Sequence, residues 1–359
     1  MTMNLGIVLP NWIGDCVMAT PTLRALRRRY APPHHIVGIM QPYVADVLQG
    51  TQWLDEQVHY HRHSGRSRYG LASVIDQLQH RRLDEIVLLT NSLSSAWLAW
   101  RSGATERVGY ARNFRSALLT HRLRAPRDGW RYQPVSAVDY YLDLAYAMDC
   151  LLEPRQLELA TTASDEDDAD RVWKKFGFDF DAGVAILSTG GAFGSAKRWP
   201  EESFAALGRR IAAELGHAVL LICGPQERTA AEAIVRKANH PRVFSLSTEE
   251  PSIGLSKACV KRSQVMVATD SGPRHFAAAF DVPIVSLFGP TDPRWSINYH
   301  QGETRLFETV PCGPCRKRTC PLGHHDCMRN LSVERVFAAV KQKLDKTSRE
   351  IPPPTRRAA

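Results

Sequence analysis

Short apolar runs alternate along the first half of the chain with stretches whose apolar residues recur at helical spacing. The runs predict buried strands at residues 5–9, 35–40 and 84–90, and helices at 16–30, 42–48, 93–100 and 137–152. Strands that alternate with helices are typical of a doubly wound parallel sheet. From residue 110 to 134 the alternation is lost in a basic, aromatic stretch, which we interpret as loops near a site.

A second alternation follows. It predicts strands at residues 183–188, 218–223, 242–246, 265–268 and 283–288, and helices at 203–215, 229–238, 275–280 and 332–344. The pattern therefore predicts an α/β protein with two domains, at residues 1–160 and 161–346. The Pro/Arg-rich tail at 347–359 is predicted to be disordered. Ligands of such sheets bind beyond the carboxyl ends of the strands.

The composition is that of a globular protein long enough for two cores. The 359 residues are 44% hydrophobic and 23% charged. No run approaches the roughly 20 apolar residues that span a bilayer. The first residues lack the basic region of a signal peptide, so a cytoplasmic protein is expected.

Positive charge is concentrated in one stretch. The net charge is +9, and eight arginines between residues 101 and 131 stand against Glu106 and Asp128. A basic face of this kind indicates an anionic partner, which could be nucleic acid, an anionic membrane or a phosphorylated substrate. A solvated surface without a partner is the open alternative.

One turn has the composition of a phosphate site. Residues 269–273 follow a predicted buried strand and precede a predicted helix. Asp270 or Ser271 could cap that helix, Gly272 would let an anion approach the backbone, and His275 falls on the first helical turn. The next strand ends in a similar turn at residues 289–293, on the same side of the sheet.

The segment DSGPRHFAAAFDVPIVSLFGPTDP at residues 270–293 closely resembles the signature of the ADP-heptose:lipopolysaccharide heptosyltransferases, glycosyltransferase family 9. The resemblance runs from residue 4 to about residue 340. It implies the GT-B architecture, in which two Rossmann-like domains face a central cleft. The first would bind the acceptor and the second the nucleotide sugar. Arg274 stands where the family often has an apolar residue, either as an extra cation at the site or pointing to solvent.

The resemblance also implies residues for the sugar donor. Residues 188–200, STGGAFGSAKRWP, match neither a P-loop nor a dinucleotide fingerprint, and alone they could be a flexible loop. The family has a lysine before Trp-Pro here, which makes Lys197 a candidate to stabilise the leaving diphosphate. Thr189 and Gly190 would add hydroxyl and backbone groups.

After the strand at 218–223, the family commonly has an acid that holds the nucleotide ribose. Glu227 is one place off that pattern, so Gln226 competes with it, and an ordinary turn is the alternative.

Residues 11–15 follow the first strand and are expected on the acceptor side, where Asn11 and Trp12 would meet the acceptor together with Arg112 and Arg115. The family places its candidate general base at the position of Asp15. Inverting transfer needs one carboxylate to deprotonate the acceptor hydroxyl. The alternative is that Asp15 only caps a helix.

Four cysteines, Cys312, Cys315, Cys320 and Cys327, cluster in an insert at residues 311–328 that also contains two histidines. In a cytosolic chain such spacing favours a metal over disulfides, so a structural zinc is predicted. An iron–sulfur cluster and unpaired thiols stay open. The other cysteines, at 16, 150, 223 and 259, are predicted to be buried thiols. No Asp-x-Asp motif is apparent, so catalysis is expected to need no metal.

The resemblance thus implies an inverting enzyme that moves heptose from ADP-heptose onto the lipopolysaccharide inner core. The acceptor would be Kdo-lipid A or heptosyl-Kdo-lipid A, and the cysteine-rich insert favours the second heptose. The protein would lie at the cytoplasmic face of the inner membrane and bind no nucleic acid. A GT-B nucleotide-sugar epimerase and a basic non-catalytic nucleic-acid-binding protein are the alternatives, although the chain carries no recognised nucleic-acid-binding motif.

Overall fold

The computed structural model describes residues 2–61, 68–178, 183–190 and 194–350, the last four as helical backbone only. The chain divides into two compact units. Unit 1 comprises Met1–Thr162 and Pro293–Tyr299, and unit 2 comprises Ala163–Asp292 and His300–Ala359.

Unit 1 alternates strands and helices. Its elements are β1 Asn4–Val8, α1 Ile13–Met18, α2 Thr20–Arg29, β2 His35–Met40, α3 Pro42–Leu48, β3 Glu56–His59, α4 Leu71–Arg81, β4 Glu85–Leu88, α5 Leu93–Arg101, β5 Glu106–Tyr110, β6 His121–Leu123, β7 Arg127–Asp128, β8 Arg131–Tyr132 and α6 Ala137–Tyr146. The hydrophobic pattern predicts only β1, β2 and β4 of its strands; β6, β7 and β8 lie in the stretch that was interpreted as loops.

Unit 2 repeats the alternation. Its elements are α7 Ala163–Phe176, β9 Val184–Ser188, α8 Glu201–Glu214, β10 Ala218–Ile222, α9 Arg228–Ala238, β11 Val243–Ser245, α10 Ile253–Lys261, β12 Val265–Thr269, α11 Arg274–Ala279, β13 Ile284–Phe288, β14 Glu303–Phe307, α12 Asp326–Arg329 and α13 Val333–Glu350.

Each unit contains a six-stranded parallel sheet with the same order of strands. The order is β3-β2-β1-β4-β5-β6 in unit 1 and β11-β10-β9-β12-β13-β14 in unit 2. In both sheets the direction of winding reverses beside the first strand, so the switch point lies between β1 and β4 and between β9 and β12. Ligands of doubly wound sheets bind at the carboxyl ends of the strands next to this point. The prediction of two Rossmann-like domains is confirmed.

The central strands are apolar on both faces because helices cover both sides of the sheet. All five residues of β9, β12 and β13 are buried. In unit 2 they pack with α8, α9 and α13 into one cluster that includes Leu187, Phe204 and Val340. This core fixes where the strands end and therefore where the following turns lie.

Several elements differ from the predictions. The predicted helix at 16–30 is two helices, because Pro21 in the first turn of α2 has no N–H to continue the hydrogen bonds of α1. The helix predicted at 137–152 ends at Tyr146. The predicted disordered tail is wrong at its start, because α13 continues to Glu350; residues 351–359 lie outside the described residues.

The first boundary between the units lies at Thr162/Ala163, two residues from the predicted one. The segment Pro293–Tyr299 belongs to unit 1, although the predicted boundaries left it in the second domain. Ser136 Oγ donates a hydrogen bond to the carbonyl of Ile297 at 2.7 Å, and the Tyr299 hydroxyl donates to Asp139. Among the described residues, no helix is long and apolar enough to cross a membrane.

Candidate functional site

Unit 2 carries polar turns at the carboxyl ends of its strands, on both sides of the switch point. Thr189 and Gly190 follow β9, whereas Asp270 and Ser271 follow β12. Lys197 lies in a short 3-10 turn further along the segment that follows β9. The predicted donor residues of these two turns are therefore brought to one edge of one sheet.

Asp270 is the centre of this edge. Lys197 Nζ donates to Asp270 Oδ2 at 2.6 Å and to the Asp270 carbonyl at 2.8 Å. The Thr291 hydroxyl, from the turn after β13, donates to the same carboxylate oxygen at 2.6 Å. Arg274 Nε lies 3.4 Å from Asp270 Oδ1. Burial opposes ionisation of the Asp270 carboxyl, but Arg274 and Lys197 outweigh it and hold its pKa well below the usual range.

Arg274 is fully buried and does not point to solvent, which decides between the two alternatives for this residue. Its Nη1 lies 2.5 Å from Glu303 Oε1, in a carboxylate that also accepts from Ser286 Oγ at 2.6 Å and from Arg305 Nε at 2.8 Å. Burial opposes ionisation of Glu303, yet Arg274 prevails and lowers its pKa. Arg274 thus links a carboxylate after the carboxyl end of β12 with a carboxylate at the amino end of β14.

The network carries more positive than negative charge. Three cations, Lys197, Arg274 and Arg305, face two carboxylates, Asp270 and Glu303. With all five groups ionised, the network has an excess of one positive charge. Lys197, Asp270 and Arg274 lie next to the switch point, whereas Glu303 and Arg305 lie on the edge strand β14. A cationic site held in place by buried partners suits the phosphates of a nucleotide ligand.

His275 adds no charge to this network. Burial lowers the pKa of its imidazole well below the usual range, and the Arg274 cation lowers it further. His275 Nδ1 and Ser271 Oγ are buried without a hydrogen-bond partner among the described residues. Because unpaired buried polar atoms are costly, a bound ligand would give these two a partner.

The predicted helix cap is wrong. Pro273 is the N-cap of α11, and within the described chain neither Asp270 nor Ser271 makes a side-chain cap hydrogen bond to that helix. The carboxylate of Asp270 is instead turned towards Lys197, Thr291 and Arg274. Gly272, partly exposed, lies in the turn between them.

Glu227 lies against the turn after β9. A Cβ on Gly190 would come within 1.9 Å of Glu227 Oε1, so a side chain at position 190 would displace the carboxylate. The other carboxylate oxygen accepts from the Gly224 backbone N–H at 2.9 Å. Gln226 is exposed. Of the two candidates for the ribose, Glu227 is therefore the one that the structure groups with Gly190.

The acceptor candidates at the switch point of unit 1 lie in the turn and helix after β1. Asn11 and Trp12 are exposed, and the Tyr43 hydroxyl donates to the Asn11 carbonyl. Trp12 is the N-cap of α1, and Asp15 is the third helical residue, so Asp15 is not the N-cap that the alternative made it. Burial raises the pKa of the Tyr141 hydroxyl, and the Asp15 carboxylate close to it raises it further.

The two arginines predicted to bind the acceptor differ in position. Arg112 is half-buried with its guanidinium 3.9 Å from the centre of the Tyr132 ring. Arg115 is fully buried and donates to the carbonyl of Tyr110 at 2.9 Å and to Asn91 Oδ1 at 3.1 Å. Because Arg115 is buried, direct contact of its side chain with an acceptor is not expected. The side chain instead stabilises the turn after β5 by these hydrogen bonds.

The cysteine-rich insert packs against the donor edge of unit 2. Its Arg318 carbonyl accepts from the Ala196 N–H at 3.0 Å, and its Arg316 N–H donates to the Pro290 carbonyl at 2.8 Å. A Cβ on Gly194 would lie 2.4 Å from the Arg318 carbonyl oxygen, so the approach requires glycine. The insert therefore touches both the turn of Lys197 and the turn of Thr291.

The four cysteines of the insert line a single cavity of about 180 Å³ together with His324. Cys312 Sγ lies 3.8 Å from His324 Nε2. In the part of the chain that is described, no three His, Cys, Asp or Glu side chains are grouped closely enough to hold a metal ion. Of the remaining cysteines, Cys16, Cys150 and Cys259 are buried as predicted, and Cys223 is only partly buried.

Four members of the network around Asp270 and Arg274 were not predicted. Thr291 lies in a turn noted in the sequence analysis, to which no role was given. Ser286 lies on the predicted strand β13, whereas Glu303 and Arg305 lie on β14, which was not predicted. The signal that could have pointed to Glu303 is the unusual Arg274, because a buried arginine needs hydrogen-bond acceptors, of which a carboxylate is one.

Comparisons with a family model and with known proteins point to the same family. The family model described as glycosyltransferase family 9 (heptosyltransferase) matches residues 71–326. Lipopolysaccharide heptosyltransferase 2 of Salmonella typhimurium is 25% identical over 349 residues, which cover 93% of this chain and 97% of the relative.

Two solved structures share the fold. The ADP-heptose lps heptosyltransferase II of E. coli matches with a TM-score of 0.78 and 22% identity, over 96% of this chain and 100% of that one. The glycosyl transferase family 9 protein of Veillonella parvula matches with a TM-score of 0.81 and 22% identity, over 96% and 97%.

Proposed function

The chain belongs to glycosyltransferase family 9 (heptosyltransferase), and on that basis we propose that it moves a heptose from ADP-heptose onto the inner core of lipopolysaccharide. The observation that carries the proposal is the cationic network of Lys197, Arg274 and Asp270 at the switch point of unit 2. This network supports a site for the diphosphate of the donor.

The reaction follows from the chemistry of the named groups. Asp15 accepts the proton of the acceptor hydroxyl while that oxygen attacks the anomeric carbon of the donor from the opposite face, with inversion. The bond between the anomeric carbon and the diphosphate breaks, and the electron pair leaves with ADP. Lys197 stabilises the negative charge that develops on the diphosphate, and Glu227 holds the ribose. None of these steps uses a metal ion.

The acceptor is heptosyl-Kdo-lipid A, and the reaction adds the second heptose. The similarity to relatives named heptosyltransferase 2, over 93% of this chain, supports this order over Kdo-lipid A as acceptor. Because the acceptor carries a lipid anchor, the protein works at the cytoplasmic face of the inner membrane as a peripheral protein. Its basic stretch between residues 101 and 131 meets anionic groups of that surface and not nucleic acid.

The cysteine-rich insert is a structural zinc site. Thiolates and one imidazole are the ligands that zinc prefers, and Cys312, Cys315, Cys320, Cys327 and His324 line one cavity. Among the described residues these side chains are too far apart to coordinate one metal ion, so zinc binding requires the thiols to move towards the centre of the cavity. Zinc would stiffen the insert and leave the reaction itself to the residues of the sheet edges.

A screen by mass spectrometry tests the function. Purified protein is incubated with ADP-heptose and either Kdo-lipid A or heptosyl-Kdo-lipid A, and a mass increase of one heptose on the second acceptor alone is expected. Isomerisation of the free donor without acceptor would instead support an epimerase. Retention on DNA that is lost with salt, without any transfer, would support the nucleic-acid-binding alternative.

A further inference from the structure

The outer face of α5 is apolar where a water-facing helix is normally polar. The buried inner face of α5 consists of small residues and Leu98. On its outer face Leu93, Trp97 and Trp100 are exposed, at spacings of four and three residues. The rings of Trp97 and Trp100 lie 5.0 Å apart between centroids. Exposed residues at this spacing form one strip along the helix.

The second apolar group is Phe114, which a strained turn exposes to solvent. Phe114 is 100% exposed, and it and Asn113 have φ angles of 59° and 54°, in the left-handed region that is costly for residues other than glycine. The turn is anchored next to the start of α5: Asn113 Nδ2 donates to the Asn91 carbonyl at 2.8 Å, and buried Arg115 donates to Asn91 Oδ1. The fold therefore fixes a phenylalanine that points outwards.

A third apolar group lies on the β7–β8 hairpin. Trp130, between the two strands, is 96% exposed. The hairpin is tied to the segment after β5 because the guanidinium of Arg112 stacks on the Tyr132 ring, with Arg127 on the same ring at 4.4 Å. We define the aromatic surface as Leu93, Trp97, Trp100, Phe114 and Trp130.

Positive charge lies on the same segments of the chain as the aromatic surface. Five exposed arginines belong to the same elements or to the turns that join them: Arg101, Arg122, Arg124, Arg127 and Arg131. The acids of this stretch are Glu106 and Asp128, and Glu106 lies 3.3 Å from His121. Aromatic rings beside arginines are the composition of protein surfaces that enter the headgroup region of a bilayer.

We propose that the aromatic surface docks unit 1 onto an anionic phospholipid bilayer, with the five arginines against lipid phosphates. The proposal deepens the peripheral location proposed above and rests on that function. The turns after β4 and β5 share a sheet edge with the turn after β1, which carries Asn11 and Trp12. Docking by this surface therefore brings a lipid-anchored acceptor to the edge that holds Asp15.

The test measures co-sedimentation of the full-length protein with vesicles of phosphatidylglycerol mixed with phosphatidylcholine, and with phosphatidylcholine alone. We expect binding to the anionic vesicles that weakens with salt. Trp97→Gln combined with Trp100→Gln, and separately Phe114→Gln, should lower the partition coefficient at least about tenfold, since each removes buried apolar area. Arg127→Gln with Arg131→Gln should lower it by about fivefold per arginine.

The matched control is Leu151→Gln with Leu152→Gln. These leucines are 87% and 86% exposed, and they precede Glu153, whose carboxylate accepts from Arg24 and Arg28 of α2. They therefore lie beside α2 and not on the elements that carry the aromatic surface. Vesicle binding by this variant should equal that of the wild type.

A second measurement separates docking from catalysis. Transfer to a deacylated acceptor should be unchanged in the Trp97/Trp100 variant, whereas transfer to acceptor embedded in vesicles should fall with the binding. Wild-type protein that ignores anionic vesicles, or tryptophan variants that bind as well as the wild type, would overturn docking while leaving transfer to the deacylated acceptor intact. Vesicle binding without any transfer would refute the function instead. A wild-type dimer by light scattering that the variants lose, with vesicle binding unaffected, would make this surface a contact between copies.

Discussion

Replacing Arg274 by Met tests whether the buried network holds the donor edge. The variant keeps much of the side-chain volume but removes the cation that lies 2.5 Å from Glu303 and 3.4 Å from Asp270. Breaking a buried ion pair costs about 3–5 kcal/mol because it leaves an uncompensated charge. In the variant, Glu303 still accepts hydrogen bonds from Arg305 and Ser286, and Asp270 still accepts from Lys197 and Thr291. We therefore expect a loss of unfolding free energy at the lower end of this range, about 3 kcal/mol.

A loss of this size lowers the melting temperature of unit 2 by about 6–12 °C, at about 2–4 °C per kcal/mol for a domain of its size. Differential scanning calorimetry resolves it, because two units need not melt together. Arg305→Met is the matched control. It removes a cation from the same carboxylate, but one that is partly exposed, so a loss below about 1 kcal/mol is expected.

The pH dependence gives a second test. The folded pKa values of Asp270 and Glu303 are lowered in the wild type, so the stability that they contribute is present above their unfolded pKa and is lost as the pH falls towards the folded values. Without Arg274 both pKa values rise, and protonation relieves the buried charge. The difference in melting temperature between variant and wild type should therefore shrink as the pH falls from neutral towards the unfolded pKa of the carboxyls.

Combining Arg274→Met with Glu303→Gln gives a double-mutant cycle for this ion pair. The double variant should lose less stability than the sum of the two single variants, because the second change removes the charge that the first exposes. Additive losses, or an Arg274→Met protein that melts within about 2 °C of the wild type at neutral pH, would refute the interpretation that these two side chains form the structural link between the strands.

Three further predictions concern the reaction and the insert. Lys197→Ala should lower the turnover of ADP-heptose by about 10²–10³-fold in protein that remains folded, whereas exposed Lys174→Ala should leave it unchanged; kinetics within twofold of wild type would remove Lys197 from the site. Asp15→Asn should keep donor binding and melting temperature but cut single-turnover transfer by about 10²–10⁴-fold, and transfer at the wild-type rate would end its role as base. Elemental analysis of protein purified without chelator should find one zinc per chain, which should be lost in Cys312→Ser/Cys315→Ser; near-zero zinc and iron, with four titratable thiols in the insert, would leave the cysteines as packing.

The sequence predicts strands well where both faces are buried. β9 and β12 are buried at every residue, so their apolar runs are continuous and easy to recognise. The edge strands β3, β6 and β14 were missed because EQVH, HRL and ETRLF contain at most one buried residue each. The interior strand β5 was missed as well, because ERVGY begins with two partly exposed charged residues. Edge strands follow neither a continuous apolar run nor a long alternation, and only their neighbours define them.

The candidate site shows the same limit. The turns that carry Thr189 and Asp270 could be predicted to share an edge, because parallel strands end on the same side of a sheet. Which side chains pair beneath these turns could not be predicted, since Arg274 and Glu303 are far apart in sequence and meet only through the packing of β13 and β14. Arg115 was expected to meet the acceptor for a similar reason. A count of charges does not reveal that its guanidinium is buried and donates to backbone carbonyls at strand ends.

The geometry also changes the role that we infer for Asp270. Both of its carboxylate oxygens have partners within unit 2: Lys197 and Thr291 on one, and Arg274 on the other. An anionic group so engaged repels a diphosphate by itself and acts through the cations that it orients. The groups that remain to meet the donor are the Lys197 ammonium, Ser271 Oγ and His275 Nδ1, the last two buried without partners among the described residues. Asp270 is therefore a positioning residue, and its replacement by Asn should weaken donor binding by loosening Lys197 although it removes a negative charge. Tighter donor binding in Asp270→Asn, as simple charge repulsion would give, would contradict this role.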